Sequence, residues 1–535
     1  MRELPYRAVN LANFLTKSAT RIPEEPALIH GDTRWSWRQL DDAVSTLAHT
    51  LRARGVGSGD CVLIHSTNHV EYVQAMFAVW RVGAVIAPTN VRLTPADVVV
   101  IATTCKPSLV ICHKDFPDHA RAVTDAVDVA GGVLWIDADP ATSDSVAGST
   151  PRGPFADAPV IVGDHAWYFF TSGTSGAPKC AILTHDQMGF VTTNHLCDLM
   201  PGTTQNDRSL VVAPLSHGAG IHLLPQVAAG AATVLTVSGK LDGSEVWDLV
   251  ERERVTNMFT VPTILKVMAE HPDAAARDHS SLRYVIYAGA PMGSADQQHA
   301  RRTLGDVLVQ YYGLGEVTGN ITVLPPSLHD HPRPDGVDIG TCGYPRTGMQ
   351  VSIQDDSGAE LAPGDTGEIC VAGPGVFEGY LNNDAANESA FRNGWFRTGD
   401  LGLTDDHGFL YVTGRASDMY ISGGSNIYPR DIEEKLLLHP AVSEVAVLGM
   451  PDPKWGEIGV AICVPAPGAD CTITELQEWL GDRVARYKMP RHFLIWDDLP
   501  KSAYGKIVKR TVREQLEAST WPPADQPARA ETVSS

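Results

Sequence analysis

At 535 residues, 43% apolar and 20% charged, the sequence has the composition of a globular protein able to bury a large core in two or three domains. Its formal net charge of −21 argues against a nucleic-acid partner, which needs a basic face, but leaves room for local donors around an anionic ligand. The nine cysteines are odd in number and form no C-x-x-C pair, which argues against a disulfide framework or a zinc site and fits reduced thiols in a cytoplasmic protein.

The first 25 residues lack the apolar core of a signal peptide, and no apolar run reaches the ~18 residues of a membrane span. Along residues 36–56, Leu40, Val44, Leu47 and Leu51 recur at helical spacing. A turn and a buried strand, GSGDCVLIH, follow; Glu71 to Arg81 reads as a second amphipathic helix and VGAVIAPTN as another strand. This alternation continues to about residue 330 and predicts βαβ units with mostly parallel sheets. Between 338 and 414, MQVSIQD, GEICVAG and GFLYVTG are short strands separated by turn residues, a small β subdomain. Beyond Gly414, a helix from Pro429 to His439, strands VSEVAVLGM and VAICVPA, and a helix ITELQEWLGDRVARY make a compact α+β unit. The predicted division is a large α/β domain over 1–414, a hinge over 415–418, a small mobile α+β domain over 419–518, and a Pro- and Ala-rich disordered tail over 519–535.

The strongest local signal is YFFTSGTSGAPK, residues 168–179. Glycines let a backbone approach an anion, and hydroxyls and successive N–H groups donate to phosphate oxygens. Thr171, Ser172, Gly173, Thr174, Ser175, Gly176 and Lys179 are therefore candidate nucleotide ligands, although a flexible surface turn has the same composition. The spacing does not fit the Walker A pattern. TSGTSGAPK resembles the nucleotide loop of the adenylate-forming (AMP-binding) superfamily, in its acyl-CoA synthetase and aryl-CoA ligase branch. The resemblance runs from ALIHGDTRWSWRQL to KSAYGKIVKR, with the motifs in the family's order.

That resemblance implies roles for residues which, taken singly, would read as turns or solvated charges. Tyr311-Tyr312-Gly313-Leu314-Gly315-Glu316 matches the Y-G-x-T-E segment, where the glutamate helps hold Mg²⁺ and the aromatic residue lies by adenine. Gly315 replaces the usual threonine, so a contact to phosphate or AMP is expected to be lost. Trp395 to Asp400 matches W-[FY]-x-T-G-D, in which the aspartate accepts from the ribose hydroxyls, and Arg415 matches an arginine reaching ribose or phosphate. Gly289, Ala290 and Pro291 line the nucleotide and acyl pocket by the same likeness. His217, in PLSHG, gates the carboxylate end, and Lys506, in PKSAYGK, meets the carboxylate and α-phosphate as charge builds on the phosphorus oxygens. Ser422, Gly423 and Gly424, with Trp455, would wall the pantetheine tunnel of coenzyme A. The acyl pocket would draw on His217, Gly218, Tyr287, Gly289, Leu314, Gly315 and Gly319, for an aromatic or medium-chain acid.

The implied reaction is ATP-dependent. A carboxylic acid and ATP give acyl-AMP and pyrophosphate, and coenzyme A then takes the acyl group and releases AMP. Lys506 and the Gly423-Gly424 strand lie on different segments of the small domain, so rotation about Ser417, where the family usually has Asp or Lys, would serve the two steps in turn. A homodimer is the family's habit. The rival readings are an adenylation enzyme that loads an acyl or amino acid onto a carrier protein, a luciferase-like oxygenase, and a non-catalytic binding protein kept on this fold. Against the first, VVAPLSHGAGIHLL carries no acid to receive a substrate ammonium.

Overall fold

The structure, a computed structural model, describes residues 6–150, 152–171, 178–335, 337, 339–501 and 507–519. Two large sheets dominate. In a seven-stranded sheet, His165–Thr171, Val85–Thr89, Cys61–His65, Leu109–His113 and Val133–Ile136 run parallel, and Lys179–Thr184 and Gly379–Tyr380 add antiparallel at one edge. In a nine-stranded sheet, the parallel strands are Leu308–Tyr312, Tyr284–Tyr287, Asn257–Thr260, Arg208–Val211, Ala232–Leu235 and Pro26–His30, with antiparallel strands at both edges. The predicted β subdomain is a five-stranded sheet with all pairs antiparallel, built from Gln350–Gln354, Gly367–Ala372, Phe391–Arg392, Trp395–Thr404 and Leu410–Arg415. A second five-stranded sheet carries the C-terminal unit, centred on the hairpin of Val442–Asp452 and Gly456–Pro465.

The helix expected over 36–56 spans Trp37–Ala53, and Ser36 and Gln39 close its start by reciprocal hydrogen bonds. The helix expected to be amphipathic over 71–81, Val70–Arg81, is instead buried along all 12 residues. A helix that is apolar all round belongs inside a large core, and here one cluster packs residues of both large sheets, Ile86 and Trp167 with Leu28, Val211 and Tyr311. The last predicted helix is shorter than its sequence suggests. Ile473–Gly481 ends at Asp482, and one tight turn, Arg486–Lys488, follows. Gly and Asp are weak helix formers, and both fall at that end. Among the described residues no helix is long and apolar enough to cross a membrane.

Candidate active site

The aromatic strand His165–Thr171 folds back onto Lys179–Thr184, so that Thr171 and Lys179 are register partners. Ser172, Gly173, Thr174, Ser175 and Gly176 join those strands and lie outside the described residues. Lys179 Nζ rests 4.9 Å from the centre of the Tyr380 ring, a cation over an aromatic face. The Tyr380 hydroxyl donates to Glu316 Oε1 at 2.9 Å, and Thr171 Oγ1 donates to the same oxygen at 3.1 Å. Glu316 is buried in the tight turn Gly315–Val317. Among the described residues none donates to its Oε2. Burial, then the neighbouring carboxylate, pushes the Tyr380 hydroxyl far above its ordinary range, so it stays a donor. Tyr380 was not legible in the sequence: the tyrosine of GVFEGY carries no signal until that strand docks against Ala181 and Ile182.

A second buried carboxylate stands on the β subdomain. Asp400 pairs in register with Arg415, takes its Nε at 2.7 Å, and accepts the Tyr312 hydroxyl at 2.6 Å. Burial opposes the charge on Arg415, but Asp400, Tyr312 and Glu316 hold its pKa above the ordinary value. The paired tyrosines thus divide. Successive strand residues point to opposite faces, so Tyr312 meets Asp400 while Tyr311 turns into the core against His222 and Phe259.

His217 caps the helix Gly218–Ala229, with its ring 5.1 Å from Phe169 and its Nδ1 3.1 Å from Ser216 Oγ. Gly218 follows because Phe259 fills the space: a Cβ there would lie 2.6 Å from the ring. Gly315 has the same explanation. A Cβ on it would fall 2.6 Å from Phe169 Cε1 and 2.9 Å from Thr171 Cγ2, so the expected loss of a hydroxyl accompanies an aromatic wall occupying that volume. Gly319 lies under the Tyr311 ring and against Gly313, and Leu314 packs on the main core. Gly289, Ala290 and Pro291 follow strand Tyr284–Tyr287 in the more open loop beyond its end.

Tyr287 departs from this grouping. It belongs to a separate core cluster with Met292 and Leu304, and its hydroxyl is engaged by Gln297, Gln310 and His329. Ile286, its neighbour, faces the cluster that contains Tyr311. Strand alternation therefore puts the expected pocket residue Tyr287 on the far face of the sheet.

In the C-terminal unit, Ser422 pairs with both Ser425 and Gly456, and the Gly423 N–H donates to Trp455 O at 2.9 Å. Gly424 continues that tight turn. Lys454 and Arg491 approach the Trp455 ring at 5.1 and 5.2 Å. Ser417 is exposed between strands Leu410–Arg415 and Tyr420–Ser422. Lys506 lies outside the described residues.

The large α/β unit of two main sheets with its smaller C-terminal unit is the fold of an adenylate-forming enzyme. The chain belongs to the AMP-binding enzyme family: residues 15–381 match that family, and residues 431–506 match the AMP-binding enzyme C-terminal domain. It is similar to a feruloyl-CoA synthase of Amycolatopsis sp, 36% identical over 512 residues, 95% of this chain and 100% of the relative. It is also similar to an indoleacetate–CoA ligase of Aromatoleum aromaticum, 33% identical over 96% of this chain and 99% of the relative. The o-succinylbenzoate–CoA synthetase of Bacillus subtilis, solved with its acyl-adenylate intermediate, superposes with a TM-score of 0.84 at 30% identity, over 96% of this chain and 99% of that one. The same Bacillus enzyme has been solved with ATP and a magnesium ion.

Proposed function

We propose that this protein is an AMP-forming acid–CoA ligase for an aromatic or medium-chain acid. The observation that carries the reading is the pair of pre-fixed carboxylates, Glu316 held by Thr171 and Tyr380 and Asp400 held by Tyr312 and Arg415, both of which act on the charge of Arg415. The rings packed beside His217, Phe169 directly and Phe259 and Tyr311 behind it, offer apolar faces suited to a flat acyl group, in keeping with the feruloyl and indoleacetate named for the relatives.

In the first step a carboxylate oxygen of the acid bonds to the α-phosphorus of ATP, and the bond to the β-phosphate oxygen breaks, leaving acyl-AMP and pyrophosphate. No side chain has to act as nucleophile; positioning and charge neutralisation carry the step. Asp400 receives the ribose hydroxyls, its orientation fixed by Tyr312 and Arg415. Thr171 and Lys179, with the loop between them, meet the phosphates. Lys506 neutralises charge at the reacting centre, and His217 guards the acid's carboxylate end. Glu316 suits a magnesium ion, because its two hydroxyl donors share Oε1 and leave Oε2 for a hard cation. When bound, that ion supplies charge neutralisation on the phosphates. In the second step the sulfur of coenzyme A bonds to the acyl carbon, the bond to AMP breaks, and the thiol proton leaves. Ser422, Gly423, Gly424 and Trp455 wall the pantetheine path.

We divide the chain into 1–414, a hinge at 415–418 around Ser417, and 419–518, because the strands on either side of Ser417 belong to different sheets. Nine unpaired cysteines suit a cytoplasmic location. A homodimer remains the family's pattern.

Pyrophosphate release across a panel of carboxylic acids, with and without coenzyme A, tests the reading; silence with every acid overturns it. Lys506→Ala should lower acyl-AMP formation by roughly 100-fold or more while sparing thioester formation from supplied acyl-AMP. An equal fall in both half-reactions would remove the role given to that lysine.

A further inference from the structure

Beside the packed rings of Phe259 and Tyr311 lie buried donors that lack acceptors. Four residues beyond Gly218, His222 stacks on Phe259 with ring centres 4.4 Å apart, and the His195 ring meets it edge-on at 4.6 Å. Behind them lies Arg346, 1% exposed. Its Nε is 3.8 Å from Asp198 Oδ2, an oxygen that already accepts the Thr347 N–H at 2.8 Å. Its Nη1 has no partner among the described residues. Its Nη2 is 3.1 Å from His195 Nδ1, but that nitrogen is also 2.8 Å from Val191 O. One imidazole nitrogen cannot donate to a carbonyl and accept from a guanidinium at once. His195 Nε2 and His222 Nδ1 are likewise unpartnered.

Buried polar groups are almost always satisfied, and an unmet buried charge is strongly unfavourable. Burial lowers the Arg346 pKa to about 9 and that of His222 to about 3, so at neutral pH the guanidinium keeps its charge beside a neutral imidazole. His195 and Asp198 also lie in a rare π-helical turn, His195–Leu199, a distortion frequent at functional sites. Beside His222 and Phe259 is a water-sized cavity of about 10 Å³, also lined by Gln226 and Thr233, whose hydroxyl has no partner.

We propose that Arg346, assisted by His195 and His222, is the distal anchor of the acyl slot and selects acids that carry a second acceptor group, a carboxylate above all. This inference rests on the ligase reading of the same site and specifies its substrate class. The helical rise from Gly218 to His222 is about 6 Å and Arg346 lies behind His222, so the second group lies more than one aromatic ring beyond the activated carboxylate.

The test uses the full chain with ATP, magnesium and two near-isosteric probes, 4-carboxycinnamate and 4-methylcinnamate, reading pyrophosphate release. The wild type should favour the diacid in kcat/KM by roughly 10- to 100-fold, the span of a charge-assisted contact. Arg346→Met should abolish or reverse that preference, read as the ratio of kcat/KM for the two acids. A wild type indifferent to the second carboxylate, or a preference that survives Arg346→Met, overturns the anchor and leaves the ligase reading standing. Failure with every acid in the broader panel overturns both. If Arg346→Met does not fold, the wild-type preference and a crystal structure with 4-carboxycinnamate decide. A carboxylate within hydrogen-bond distance of Arg346 supports the anchor, and a structural water in its place overturns it.

Discussion

Two arginines of this protein are equally buried, Arg81 and Arg346, each 1% exposed. Arg81 ends the buried helix Val70–Arg81, and every nitrogen of its guanidinium has an acceptor. Nε meets Asp157 at 3.0 Å, Nη1 meets Ser45 at 2.8 Å and the Asp41 carbonyl at 3.2 Å, and Nη2 meets the Asp41 carboxylate at 2.5 Å and Thr16 at 2.9 Å. Arg346 has one contested contact and a distant carboxylate. The same side chain at the same depth is thus a structural tie in one region and an unsatisfied donor set in the other. The difference is acceptor supply, since burial is common to both. Where a fold meets all of a buried cation's donors it is joining elements; where it withholds acceptors beside an aromatic slot, it leaves work for a ligand.

The contrast can be broken or sharpened by experiment. Arg81→Met should destabilise by about 3–5 kcal/mol, because Asp157 and Asp41 lose their cation; urea unfolding measures this, and a loss under about 1 kcal/mol would show that the tie is dispensable. Gly315→Thr asks whether the second region is merely loose. Its added atoms meet Phe169, so a loss of about 1–3 kcal/mol is expected, relieved when Phe169 is also made Val; no loss would mean a slack wall. The third test is pH. His222 titrates near its ordinary 6.5 when unfolded but near 3 when folded. Between those values the unfolded chain binds the extra proton, so stability falls as pH falls, by about 1.4 kcal/mol per pH unit for one histidine. His222→Phe should flatten the urea-midpoint curve against pH by about one proton; an unchanged slope contradicts the burial. The smallest effect is reserved for Arg346→Met, within about 1 kcal/mol of wild type or more stable, since it removes a charge with little to satisfy it. A loss matching that of Arg81→Met would erase the distinction.

Much of this was legible beforehand. The helix Trp37–Ala53 and the change to short strands after residue 338 were read from local pattern, Glu316, Asp400 and Arg415 came only with the family likeness, and that likeness agrees with the matches over 15–381 and 431–506. The family likeness implies Tyr287 in the acyl pocket; strand alternation turns it to the face opposite Ile286. Gly315 looked like a simple deletion until Phe169, remote in sequence, was found against it. His222, Phe259 and Arg346 carried no motif at all.

By itself the sequence determined the order of the elements, because periodicity and turn chemistry are properties of neighbours along the chain, and through its likeness to a known family it pointed to the class of chemistry. Only the tertiary structure decided which face of each strand meets the site, which tyrosine fixes which carboxylate, and which buried arginine goes without acceptors. Those outcomes depend on groups tens to hundreds of residues apart arriving within about 3 Å of one another, and no local pattern encodes that distance.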